Sequence, residues 1–232
     1  MRIGKKTTNG KIGHWSMAYL LEGQFDRPSL KKLRTIVEEI RLPYTGWALF
    51  YLPAGTSSLK VRPRGDTIEC FLDDGWDFWR VSTMGRAFLI RPYQEDFLDA
   101  NAVQGEEFDV TLPIWRVGEG LLHSQRLAFA FNAENATVAF KVIWDDLHGR
   151  KLIARGTPEL MLSFTGSTFV ATENRVASFL TVSAQNISAT LPELVQRLTE
   201  PLYNNFDFFS PPATLYINEL GKMRQSNVGA LG

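Results

Sequence analysis

Asp66 and Glu69, in the run GDTIECF, stand three residues apart in a stretch that reads as a strand. Carboxylates that converge from neighbouring strands can hold a divalent cation and so support hydrolysis of a phosphodiester or amide. Such sets often include a lysine nearby, but none follows Glu69, and Phe71 stands there instead. Asp73, Asp74 and Asp77 cluster beside Trp76 and Trp79, and Asp145 and Asp146 follow Trp144. Aspartate tolerates turn geometry, so turns are the expected role of these acids. His14, His123 and His148 are far apart and Cys70 is the single cysteine, so transition-metal spacing is missing and neither metal nor cofactor is expected. Gly118-Glu119-Gly120 lacks the third glycine of a dinucleotide loop, and Gly166-Ser167 lacks the pattern of a nucleophile elbow. No catalytic residue is assigned.

Charge is the stronger clue. The 232 residues carry 25 basic and 25 acidic side chains, yet residues 1–64 hold 12 Lys or Arg against 4 Asp or Glu, while residues 65–136 hold 5 against 13. A basic stretch can be the electrostatic footprint of a phosphate-bearing ligand, unless the acidic stretch lies against it and cancels it. The candidate contacts for nucleic acid or a partner are Lys5, Lys6, Lys11, Lys31, Lys32, Arg34, Arg62 and Arg64. Trp76, Trp79, Trp115 and Trp144 offer flat rings for stacking on bases or sugars. Arg80 and Arg116 follow two of them directly, but adjacent residues of a strand point to opposite faces, so Trp79 and Arg80 do not share a surface. Core packing is the expected role of most of these rings, and burial beside Ile68 is the expected state of the Cys70 thiol.

The elements that must position these residues follow from periodicity. Residues 1–13 read as a flexible basic arm, residues 14–224 as one α+β domain with 99–107 as the place for any two-lobe split, and residues 225–232 as a disordered tail. In HWSMAYLLEG, Trp15, Met17, Tyr19 and Leu21 alternate, which predicts a half-buried strand. Leu30, Leu33, Val37 and Ile40 predict a helix near 27–41, with Asp26 at its start and Pro28 in its first turn. TIECFLDD, DFWRVS and AFLIRPY read as strands, and TLPIWRVG, LHSQRLAFAF and ATVAFKVIWDD as further strands of an antiparallel meander, with Val138, Phe140, Val142 and Trp144 on one face. KLIARG, ELMLSFTG, TFVAT and VASFLTVSA continue the strand pattern. Thr190-Leu191-Pro192-Glu193 matches a capping box opening a second principal helix near 191–205, which Pro201 should kink or shorten. ATLYINELGKMR is a last element of undecided type. The expected class is α+β, a mainly antiparallel sheet with two principal helices. Strand and helix do not alternate regularly, which argues against a doubly wound sheet. No run reaches the roughly 18 uninterrupted apolar residues of a membrane span, and no apolar stretch backs the charged start as a signal peptide would. A lone cysteine fits a reducing, cytoplasmic setting.

Three stretches carry a resemblance: HWSMAYLLEGQFDRPSLKKL, VTLPIWRVGEGLLH and ATLPELVQRLTEPLYNNFDFFSPP. They resemble the C-terminal region of bacterial helix-turn-helix or ATP-binding proteins, where that region trails a Schlafen-type, Alb-like DNA-binding domain. The resemblance implies a prokaryotic origin and association with a regulatory or defence protein. The Alb-like domain itself is not among these residues, so no DNA-contacting or catalytic position carries over. The functional expectation is a non-catalytic module that contacts a protein partner, a second copy or nucleic acid through its basic N-terminal surface, away from any membrane. The alternative is a magnesium- or manganese-dependent hydrolase or nuclease built on the acidic middle segment, with Asp66 and Glu69.

Overall fold

Alternation in the first apolar run makes the central strand. The computed structural model describes residues 12–42, 44, 48–52, 61–71, 77–97, 103–154, 168–208 and 211–225. Strand β1 (His14–Glu22) buries Trp15, Met17, Tyr19 and Leu21 on one side. It pairs antiparallel with β5 (Arg86–Pro92) and β7 (Thr137–Asp145), and the register sets Tyr19 opposite Ala87 and Phe140. Outward from β5 lie β4 (Phe78–Ser82), β3 (Thr67–Phe71) and β2 (Val61–Arg64), and outward from β7 lies β9 (Arg175–Ser183). All six pairings of this seven-stranded sheet are antiparallel, as the strand-rich middle of the chain predicts. A separate parallel pair joins β6 (Glu107–Asp109) to β8 (Lys151–Ile153). The fold is α+β.

The helix reading needs one large correction. TLPIWRVG and LHSQRLAFAF are not strands: residues Leu112–Ala130 form a single helix, α2, of 19 residues. Its buried residues run from Pro113 through Ala128 on nearly every side, so no polar stripe marks it as a helix. Its glycines, which fall in the stretch read as meander strands, allow close approach. A Cβ on Gly120 would sit 2.6 Å from the Met17 sulfur and 3.0 Å from Phe140 Cζ, and one on Gly118 would sit 2.5 Å from a Leu220 methyl. One side of α2 is thus pressed onto β1 and β7, the other onto the last helix.

The two expected helices are present. Helix α1 (Leu30–Glu39) buries Leu33, Ile36 and Val37. Ser29, not Asp26, caps it by accepting from the Lys32 amide at 3.2 Å. The Asp26 carboxylate instead accepts from the Asn132 side chain at 2.7 Å, tying this loop to the end of α2. At the other end of α1, Arg126 of α2 donates to the carbonyls of Ile40 and Arg41. Helix α3 (Leu191–Asn204) runs three residues past Pro201. No capping box forms there, since the Thr190 hydroxyl donates back to the Asn186 carbonyl. The undecided last segment is helix α4 (Ala213–Gln225). Of the remaining readings, ELMLSFTG lies outside the described residues, and TFVAT supplies an isolated bridge from Val170 to Lys151. One hydrophobic core runs from Trp15 to Met223, between the helices and the inner face of the sheet. No helix among the described residues is long and apolar enough to cross a membrane.

The seating of α2 generates a stability test. Gly120→Val adds three carbons where the helix meets Met17 and Phe140, and overpacking of that kind costs about 1–3 kcal/mol. Urea unfolding should show the loss as a lower midpoint at unchanged slope. An unchanged midpoint would mean that α2 is not pressed against these side chains.

Candidate functional site

The helices cover one face of the sheet, and the residues between the core positions form the other. On β2, Arg62 and Arg64 are exposed while Val61 between strand and core is half-buried. On β3 to β5 the outward set is Glu69, Phe71, Phe78, Arg80, Arg86 and Phe88. Exposure is high for rings of this size: 46% for Phe71, 37% for Phe88, and 74% for Phe179 on the edge strand β9.

The registers assemble these residues into rows. Phe71 lies opposite Phe78 with ring centroids 4.5 Å apart, and Phe78 lies 6.1 Å from Phe88 on the next strand. A second row crosses the sheet as Glu69, Arg80, Phe88, Ala18, Lys141 and Phe179. Arg80 donates from Nε and Nη2 to one Glu69 carboxylate oxygen at 2.9 and 2.5 Å, and Arg64 approaches the other at 3.7 Å. The Arg80 guanidinium also lies 5.5 Å from the Phe78 ring centre. At the far side Arg175 stands 3.5 Å from Asp145, which with Asp146 flanks His14.

The predicted contact residues divide between two surfaces. Lys31, Lys32 and Arg34 lie on the exposed side of α1, in the helix layer to which Arg126 ties it. Arg62 and Arg64 project from the opposite side of the sheet, where they join Arg80. Lys5, Lys6 and Lys11 lie outside the described residues, as do Asp73, Asp74 and Trp76. Asp66 accepts from the Ser82 hydroxyl at 2.7 Å within a hairpin turn, and Glu69 is buried in its pairing with Arg80. Trp15, Trp79 and Trp144 fill the core, and Trp115 is half-buried with its N–H donated to Glu219 at 3.0 Å. Among the described residues, phenylalanines and not tryptophans supply the open face with rings. The signal for Phe71, Phe78 and Phe88 was available in the same alternation that places Cys70, Trp79 and Leu89 inside.

Ionisable groups also sit deep inside. Arg150 is fully buried and forks onto both oxygens of Asp96 at 3.0 and 2.8 Å, with its guanidinium 4.7 Å from the Tyr93 ring centre. Arg91 donates to Asp77 at 2.7 Å. Glu95 accepts from the Asp109 amide at 2.8 Å, and burial pushes its carboxyl from the ordinary 4.5 up to about 7. His123 shares a 2.8 Å hydrogen bond with the Tyr19 hydroxyl, and burial pushes its ring from 6.5 down to about 3. Cys70 is buried, and burial, then the Asp77 charge, raise its thiol above the ordinary range. Among the described residues no group of three or more His, Cys, Asp or Glu could hold a metal ion. These groups are buried, and their pairings tie together separate segments of the chain. Searches against protein-family models, curated proteins and solved structures found nothing that matches the chain.

Glu95 and His123 set opposite pH limbs. Glu95 binds its proton more tightly folded than unfolded, so its favourable contribution is full below pH 4.5 and is lost as pH rises through 7. Glu95→Gln keeps an acceptor and removes the charge, so its stability relative to the parent should grow by about 2–3 kcal/mol between pH 4.5 and 8. His123 is held neutral, so its contribution is full above pH 6.5 and falls as the solution is acidified towards 3. His123→Gln should flatten that acid limb in chemical denaturation series. Parallel pH profiles for parent and variants would refute both assignments.

Proposed function

We propose that this chain is a non-catalytic binding module that holds nucleic acid by its phosphate backbone on the open face of the sheet. The observation that carries this reading is the charge of that face. Arg62, Arg64, Arg80, Arg86, Lys141 and Arg175 project from it, against the carboxylates Glu22, Glu69 and Asp145. Glu69 and Asp145 are each within ion-pair distance of arginines of the same face. A cationic surface neutralises phosphates and releases their counterions, which gives affinity without sequence readout. Part of the basic N-terminal set, Arg62 and Arg64, belongs to this face, while Lys31, Lys32 and Arg34 offer a separate cationic surface on α1. The three stretches that resemble the tail of bacterial Alb-like proteins support a prokaryotic regulatory or defence setting, and the single buried thiol suits the cytoplasm.

A protein partner or a second copy is the second reading. Phe179 favours it, as the most exposed large apolar side chain described and one that sits on an edge strand. A hydrolase based on Asp66 and Glu69 has less support, since the first is held in a turn and the second in an ion pair.

Charge reversal separates the surfaces. Arg62→Glu with Arg86→Glu should weaken oligonucleotide binding about tenfold or more at low salt. It should also reduce the slope of log affinity against log salt by roughly 1–2. Reversal of Lys31, Lys32 and Arg34 together should leave both quantities near the parent values. Unchanged retention in the Arg62 and Arg86 variant, measured by fluorescence anisotropy across a salt series, would sink the reading.

A further inference from the structure

Resting on that reading, we infer that the open face selects unpaired nucleic acid over duplex, because Phe71, Phe78, Phe88 and Phe179 are laid out to stack on exposed bases. Phe71, Phe78 and Phe88 occupy three successive strands, β3, β4 and β5, and form one contiguous patch. Neighbouring strands are spaced ~4.8 Å apart, so the patch spans about 10 Å, a length that fits two or three splayed bases. Phe88 then faces Ala18 on β1, and Ala18 faces Lys141 on β7, which faces Phe179 on β9. Ala18 is a small residue of the central strand, so no large side chain stands between Phe88 and Lys141 in this row. The track therefore alternates rings with cations across the whole sheet.

The chemistry of the ligand follows from the chemistry of the track. Phenylalanine offers a face and no hydrogen bond, so it takes any base and reads no sequence. A duplex hides its base faces in its own stack and presents only phosphates, so it can meet the arginines but not the rings. A strand without a partner can meet both. Charge also favours a polyanion over an apolar protein surface: the track carries Arg80 and Lys141, is flanked by Arg62, Arg64 and Arg86, and includes one carboxylate, Glu69, already held by Arg80. Phe71 and Phe88 are exposed on the face opposite the core, so their removal does not open it.

The experiment compares an oligothymidine of ~12 nucleotides with a mixed-sequence duplex of equal length, by anisotropy, on the full chain. Phe71→Ala with Phe88→Ala is the test variant, Arg62→Glu with Arg86→Glu the charge variant, and far-ultraviolet circular dichroism the control for folding. The parent should bind the single strand at least tenfold more tightly than the duplex. The ring variant should lose most of that preference and leave duplex binding within twofold, while the charge variant should weaken both ligands. Equal affinity for both ligands, with no effect of the ring variant, would overturn the stacking inference and leave the phosphate-binding reading intact. Binding of neither ligand at any salt overturns both. A parent that sediments as a dimer, and a ring variant that sediments as a monomer, with no strand preference in either, would assign the rings to self-association and overturn the inference.

Discussion

The contact between α2 and the sheet decides what the rest of the molecule can be. Because Gly120 carries no side chain, the helix backbone comes within touching distance of Met17 and Phe140, the inner residues of the two central strands. Tyr19, stacked on Phe140, reaches the same helix through its hydroxyl at His123. Gly118 then lets α4 close on the opposite side through Leu220. The result is a helix nearly surrounded by protein, with α1 fastened beside it by Arg126. With the helices gathered around α2 on one side, the other side of the sheet keeps alternate rings and cations at its surface. The open face is what this packing leaves over.

The polar interior reinforces the arrangement at one end of the sheet. Asp96, in the turn after β5, receives the Arg150 guanidinium and the amides of Gly13 and Gly105. Arg150 also donates to the carbonyls of Asp146 and Glu107, so one buried pair binds the entry to β1, the end of β7 and the start of β6. Gly13 leaves room for it: a Cβ there would fall 2.4 Å from the Tyr93 ring and 2.5 Å from the guanidinium. Buried pairs of this kind contribute modestly to net stability, yet losing one partner costs about 3–5 kcal/mol because the other charge is stranded. Their effect is to specify one geometry for several chain segments at once.

Much of the sheet was legible in the sequence, and the reason is alternation. Trp15 to Leu21 and Val138 to Trp144 have one buried face, so a period of two survives in the text. α1 and α3 were legible for the matching reason, a single apolar stripe each. α2 was not, because burial on both sides removes the polar face that marks helical period. Its glycines, required by close approach, imitate the punctuation of loops. The candidate surface was half legible. Alternation implied that Arg80 faces away from Trp79, but which face lies under helices is a tertiary fact, set by α2. Pairing of Arg80 and Arg64 with Glu69 was equally hidden, since it depends on the register of three strands.

The two edges of the sheet are built unlike one another. β2 is four residues long, carries Arg62 and Arg64, and contains Pro63, whose nitrogen has no proton to offer a newcomer. β9 is nine residues long, has no proline, and presents Phe179. Among the described residues, proline blunts one rim of the sheet against an added strand and nothing comparable stands at the other. Two chains that met rim to rim would do so about a twofold axis and then present only their proline-bearing ends. Among the described residues, such an encounter would use up the long rims and leave the short, proline-bearing ones.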